Sequence, residues 1–310
     1  MGAIGIDLGG TKTEIIAVHD SGAELLRRRA PTPRQYPQTL QLLEELVVDA
    51  DAVAGSGASV GIGIPGTISP LTGRIKNANS TWLIGHALDQ DLSSRLQRPV
   101  TVMNDANCFA LSEAVDGAGA GCGVVFGVIL GTGVGGGIVV NGRILEGAQR
   151  IAGEWGHNPL PLPSAEELAR PVCYCGRTAC IEMFLSGPAM EQDHKSKTGE
   201  TRNTLEIVGD AVHGHPGAIA TLARYVERLG RSLAGVVNIL DPDVIVLGGG
   251  MSNLPGLAER TQAAMSGHLF TDQATTPVRK NLHGDASGVR GAAWLGANAL
   301  AGQSSTASSS

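Results

Sequence analysis

The chain has 310 residues, a formal net charge of −6, and 17% charged against 42% hydrophobic residues. This fits about two globular domains and excludes a disordered acidic chain. No apolar run reaches the roughly 18 residues of a membrane helix, and "RRRA" at 27–30 is too short to make a nucleic-acid surface, so neither a membrane nor a nucleic acid is expected as partner.

From residue 3, "AIGIDLGGTKTEIIAVHDSGAELLRRRAPT" reads as three strands joined by a glycine turn and a "DSG" turn. The apolar spacing of 37–53 predicts a helix, "ASVGIGIPG" a buried strand, "ALDQDLSSRLQ" a helix, "PVTVM" a strand and "NDANCFALSEAVDG" a helix whose first residues can cap it. The small-residue run "GAGAGCG" at 117–123 marks a hinge, after which "VVFGVILGTGVGGGIVVNGRIL" repeats the opening theme of strand, glycine turn, strand. A cysteine segment follows, then a helix from about 218 to 240, the strand "DVIVL", a "GGG" turn, a helix from about 254, and a last helix near 288–300. Residues 1–118 with about 288–302 are expected to form a small α/β domain and 119–287 a larger one holding the cysteine segment. The Ser-rich end, 303–310, is expected to be a disordered tail. "MGAIGIDLGG" has no basic or cleavable hydrophobic leader, so a cytoplasmic location is expected, where thiols stay reduced.

Glycine supplies 44 residues, about twice the usual share of roughly 7%, so much of the backbone turns tightly or approaches a ligand. Gly131 to Gly136, "GTGVGG", matches the dinucleotide-binding pattern, but that pattern needs a following helix. Here "GIVVNGRIL" follows, two strand-like runs joined by the favoured hairpin turn Asn141-Gly142. "DLGGTK" likewise enters a strand and is not a Walker A loop. Either turn alone is an ordinary hairpin. Together they offer two sets of amides to a polyphosphate: Gly9, Gly10 and Thr11 on one, Gly131, Thr132, Gly133, Gly135 and Gly136 on the other. Lys12 adds a positive charge, and Asp7 is placed to hold Mg²⁺ through water. Gly248, Gly249 and Gly250 end a buried strand, where a nucleoside base could lie or where the chain simply turns.

"VMNDAN" puts Asn104 and Asp105 where a strand meets a helix. An Asp there is most often a cap; the alternative is a carboxylate that accepts a hydroxyl proton during phosphoryl transfer, with Asn104 on a neighbouring hydroxyl. In "GEWGH" and "CYCGRTACIE", His157 precedes Cys173, Cys175 and Cys180, one nitrogen and three sulfurs, the set of a closed tetrahedral Zn²⁺ site. Redox thiols or packed cysteines remain alternatives to a metal. Glu154 and Glu182 flank these ligands.

In this order, "DLGGTK", "GIGIPG", "NDAN", "GTGVGGG", "GEWGH", "CYCGRTACIE" and "DPDVIVLGGG" resemble the ROK family of sugar kinases and repressors, from about Ala3 to Leu295. The resemblance implies an α/β, two-domain actin-like ATPase (ribonuclease H-like) fold with a cleft between the domains. It also implies ATP and Mg²⁺ as donor, a hexose as acceptor, a structural Zn²⁺ and a homodimer. It carries the general base to Asp105, sugar contacts to Gly66, Asn79, Asn104, Asp105, Glu154, His157 and Glu182, and zinc to His157, Cys173, Cys175 and Cys180. The stretches 63–82 and 236–253 look most like bacterial fructokinases that also accept mannose or glucose. The expected reaction is therefore fructose to fructose 6-phosphate, with mannose, glucose or an N-acetylated amino sugar as alternative acceptors. A sugar-responsive repressor, the rival class, needs a helix-turn-helix ahead of the first strand, which here begins by Ala3. Ala179 departs from the glycine usual in the family, which puts the local turn in question.

Overall fold

The computed structural model describes residues 2–169 and 172–307. Its first elements are β1 (Ala3–Leu8), β2 (Lys12–Val18), β3 (Glu24–Pro31), α1 (Tyr36–Ala54), β4 (Ser59–Ile64), the short β5 (Thr67–Ile68) and β6 (Ile75–Lys76), α2 (Leu88–Leu96), β7 (Val100–Asn104) and α3 (Asp105–Val115). Then come β8 (Val124–Leu130), β9 (Val134–Val140), β10 (Arg143–Ile144), α4 (Ala165–Leu168), α5 (Glu182–Leu185), α6 (Gly187–Thr198), α7 (Thr204–Val212), α8 (Pro216–Leu240), β11 (Val244–Gly248), α9 (Leu257–Ser266), β12 (Val278–Lys280) and α10 (Ser287–Ala307). Where the sequence predicts a tail from 303, the helix runs on to Ala307, because "ALAGQSSTA" contains no proline and enough alanine to continue the turn; residues 308–310 lie outside the described residues. Among the described residues no helix is long and apolar enough to cross a membrane.

Two sheets repeat one plan, β3-β2-β1-β4-β7 and β10-β9-β8-β11-β12. In the first, β1 runs antiparallel to β2 and parallel to β4, which is parallel to β7; in the second, β11 is parallel to both β8 and β12. The chain clusters into two units, 1–121 with 137–152 and 282–310, and 122–136 with 153–281. Re-entry to the first unit comes at Leu282, ahead of the expected 288, for an electrostatic reason. The buried Glu113 carboxylate at the end of α3 accepts the Leu282 N–H (3.0 Å) and the Ser287 hydroxyl (2.7 Å), while Asp116 pairs with His283 and Arg290.

In the first unit, alternation along β1 sorts its two faces. Ile4, Ile6 and Leu8 join a core with Leu40, Leu43 and Val47 of α1 and Leu88 and Leu92 of α2. The other face carries Ala3 and Gly5, and Val289 and Ala293 of α10 pack there. Gly5 and its register partner Gly61 form a notch for this helix: a Cβ on Gly5 would lie 2.1 Å from the Val289 carbonyl oxygen, and one on Gly61 1.9 Å from that of Ala292.

In the second unit the long α8 carries arginines inward. Arg228 lies between Glu167 (2.7 Å) and Asp193 (2.9 Å), Arg224 also pairs with Asp193, and Arg231 bonds Glu167 and the carbonyls of Pro161 and Leu162. Burial raises the Glu167 carboxyl, but the Ser164 N–H and the two guanidinium groups outweigh it and hold the group at about 2. The network moors α4, α6 and the 161–162 backbone to α8. Removing one partner of such a buried set typically costs about 3–5 kcal/mol.

Candidate active site

In the first unit the β1–β2 turn is closed by the Gly9 N–H donating to the Lys12 carbonyl at 3.1 Å, with the Thr32 hydroxyl donating to the Gly9 carbonyl at 2.9 Å. Gly10, Thr11 and Lys12 are exposed on it. Asp7, on the strand leading in, is raised to about 6 by burial and then by the Glu14 carboxylate, against the opposing pull of Lys12. A carboxylate with this little solvation and a charged neighbour of its own sign is stabilised by a cation, as Mg²⁺ would supply.

At the β7–α3 junction the capping residue is Asn104. Its Oδ1 accepts the Ala106 N–H at 2.9 Å and its Nδ2 donates to the Gly66 carbonyl at 3.1 Å. Asp105 occupies the first helical position, where its Oδ1 also accepts the Ala106 N–H, at 2.8 Å. Gly66 has φ +88 and lies against β6, with no room for a Cβ beside the Lys76 carbonyl. Asn79 is exposed just beyond β6. Asn104, Asp105 and Gly66 are thus brought together; no hydrogen bond links Asn79 to them among the described residues.

In the second unit Gly131 closes the β8–β9 turn by donating to the Gly133 carbonyl at 2.9 Å, and Thr132 is exposed. Gly135 lends its carbonyl to the Trp155 indole N–H at 2.9 Å, and Gly136 is buried against that indole. Glu182, at the start of α5, accepts the Val134 N–H at 2.9 Å, so this carboxylate is anchored on the glycine turn. After β11, Gly249 (φ +78) lies against the Leu130 carbonyl at the end of β8, which leads into this turn, and its own carbonyl accepts the Ser252 N–H and hydroxyl; Gly250 follows it. Further on, Leu254 and Pro255 line an apolar cavity of about 220 Å³ with Val208, Val212 and Ile219.

The cysteine cluster is assembled by strand-like pairing. Leu160 N–H donates to Ala179, Ile181 N–H to Asn158, and Pro159 bridges Cys180, which carries His157 to the cysteines. One ligand atom from each of His157, Cys173, Cys175 and Cys180 lies within 4.8 Å of the others. Cys175 and Cys180 Sγ are 3.5 Å apart, and Cys173 Sγ is 3.7 Å from His157 Nδ1. Donors about 2.0–2.3 Å from one zinc in a tetrahedron stand roughly 3.3–3.8 Å from each other, so the set fits the metal. Burial, and then the neighbouring thiols, push Cys180 up to about 12, so holding it as a thiolate requires a cation. Glu154, exposed, opens the short helical turn that ends at His157.

Two residues gain meaning only from the geometry. Ala179 has φ +55, the left-handed region, which explains why glycine suits this place. Since that region costs an L-residue about 1–2 kcal/mol, Ala179→Gly is expected to raise the melting temperature by a few degrees and leave the metal content unchanged from wild type, read by calorimetry and metal analysis. Tyr174, which the sequence reading passes over, stacks edge to face on His157, its hydroxyl 2.9 Å from His157 Nε2. Its only cue in the sequence is its place between two cysteines.

The profile described as "ROK family" matches residues 3–299. The chain belongs to the ROK family. It is 39% identical to an N-acetyl-D-glucosamine kinase of Yersinia pseudotuberculosis, over 94% of this chain and 97% of that one. Among solved structures, a ROK hexokinase from Thermus thermophilus superposes with a TM-score of 0.86 at 31% identity, covering 97% of this chain and all of the other. A ROK glucokinase from Streptomyces griseus, solved with glucose and AMPPNP, does so with 0.74 at 26% identity, covering 96% of this chain and all of its own. The chain is accordingly a sugar kinase with the two-domain actin-like ATPase fold.

Proposed function

We propose that this sugar kinase transfers the γ-phosphoryl group of ATP to the 6-hydroxyl of N-acetyl-D-glucosamine. The observation that carries the choice is the near full-length similarity to an N-acetyl-D-glucosamine kinase. The relatives reported above include no fructokinase, and the amino sugar replaces fructose as the first acceptor. Asp105, beside the capping Asn104, accepts the hydroxyl proton as the oxygen attacks phosphorus. Asn104, Gly66, Asn79, Glu154, His157 and Glu182 are the sugar contacts. The amides of Gly9 to Thr11 and of Gly131 to Gly136 hold the phosphates, with Lys12 adding charge. Asp7 orients the hydrated Mg²⁺, which neutralises phosphate charge when bound. Gly248 to Gly250 and the apolar cavity past Leu254 receive the nucleoside. Zinc on His157, Cys173, Cys175 and Cys180 is structural, because four protein ligands leave no open position.

The test is ADP release over a panel of N-acetyl-D-glucosamine, N-acetyl-D-mannosamine, glucose, mannose and fructose. The expected result is the highest kcat/KM on N-acetyl-D-glucosamine. A profile led by fructose or by a plain aldohexose overturns the acceptor, and absence of turnover on every sugar overturns the activity.

A further inference from the structure

We infer that Tyr174 sets sugar affinity by competing with the acceptor for the one ring N–H that His157 can offer. This rests on the sugar contact proposed for His157. Cys173 Sγ lies 3.7 Å from His157 Nδ1, which puts Nδ1 on the metal side of the ring. A neutral imidazole that ligates through Nδ1 keeps its proton on Nε2, where it has a single donor and no lone pair. The Tyr174 hydroxyl oxygen is 2.9 Å from that Nε2 and takes the donor. A sugar hydroxyl pairing with His157 needs the same proton, so the two oxygens exclude each other.

The cost of displacing the tyrosine is small. The residue is 76% exposed, and its ring meets His157 edge to face at 5.1 Å and 85° without being enclosed. Rotation about χ1 carries the hydroxyl into water, which replaces the lost hydrogen bond. The sugar therefore binds against one pre-existing hydrogen bond. Every acceptor that pairs with His157 meets the same cost, so Tyr174 lowers sugar affinity as a whole.

Tyr174→Phe keeps the ring and its edge contact and deletes only the competing oxygen. With zinc content measured and unchanged, the Kd for the best acceptor of the panel, by calorimetry without nucleotide, and its KM are both expected to fall about 2- to 10-fold, the range of one net hydrogen bond. KM for ATP and kcat are expected to stay within twofold. A rise in Kd would make Tyr174 a sugar contact, and an unchanged Kd would show that its hydroxyl does not compete; either overturns the inference. Failure of the function itself looks different: wild type then binds and phosphorylates no sugar of the panel, and the inference falls with it.

Discussion

Asp105→Asn is expected to lower kcat by about 10²- to 10⁴-fold, the scale of losing a general base. The amide has the shape of the carboxylate and can still accept the Ala106 N–H, and Asn104 continues to cap α3. Only the small first-turn charge effect, about 0.3–1 kcal/mol, is lost from stability. The circular dichroism melt and the KM for ATP should therefore stay close to wild type while turnover collapses. A variant that turns over near the wild-type rate would reduce Asp105 to a first-turn helix residue and leave the proton without an acceptor.

Cys175→Ser is expected to abolish zinc binding, since a hydroxyl replaces one of three thiolates in a four-ligand set. Sugar KM should rise by about 10- to 100-fold, as much as changes outside the first ligand shell already cause in metal sites. KM for ATP should rise less. It should still move, because Glu182 follows Cys180 by two residues and holds the Val134 N–H of the glycine turn. The melting temperature should drop as well, because a structural zinc contributes folding energy. Metal analysis with both KM values decides it: full sugar affinity in a folded, zinc-free variant refutes the link, and so does wild type purified without zinc.

Local patterns made much of the first unit readable. The helix expected at 37–53 spans Tyr36–Ala54, and the strand and helix meeting at Asn104 and Asp105 lie where their apolar runs and capping residues put them. Helices α6 and α7 do not stand out in the sequence between the cysteine segment and α8. The cause in α6 is chemical: Asp193 and His194 are buried there, and Asp193 is neutralised by Arg224 and Arg228 from α8, so a polar-looking stretch has an inward face. No periodicity reveals a partner 31 residues away. The four residues of the His/Cys cluster were legible as types and spacing, whereas their convergence depends on the pairing of 158–160 with 179–181. The hydrogen bonds that Glu182 accepts from the glycine turn and that join His157 to Tyr174 depend on side-chain direction, which composition does not encode.

The glycine notch that receives α10 also governs the order in which the protein can be made. Gly5 and Gly61 are translated early, yet the helix that fills their notch begins at Ser287. On the ribosome the face carrying Ala3, Ile16 and Val18 therefore stays uncovered while the whole second unit is synthesised. The second unit, 122–136 with 153–281, is nearly contiguous and can pack as it emerges, whereas the first unit must wait for a contact spanning almost the full chain. The first half to be synthesised is thus the last to be finished, and its apolar face is covered only once the C-terminal helix has been made.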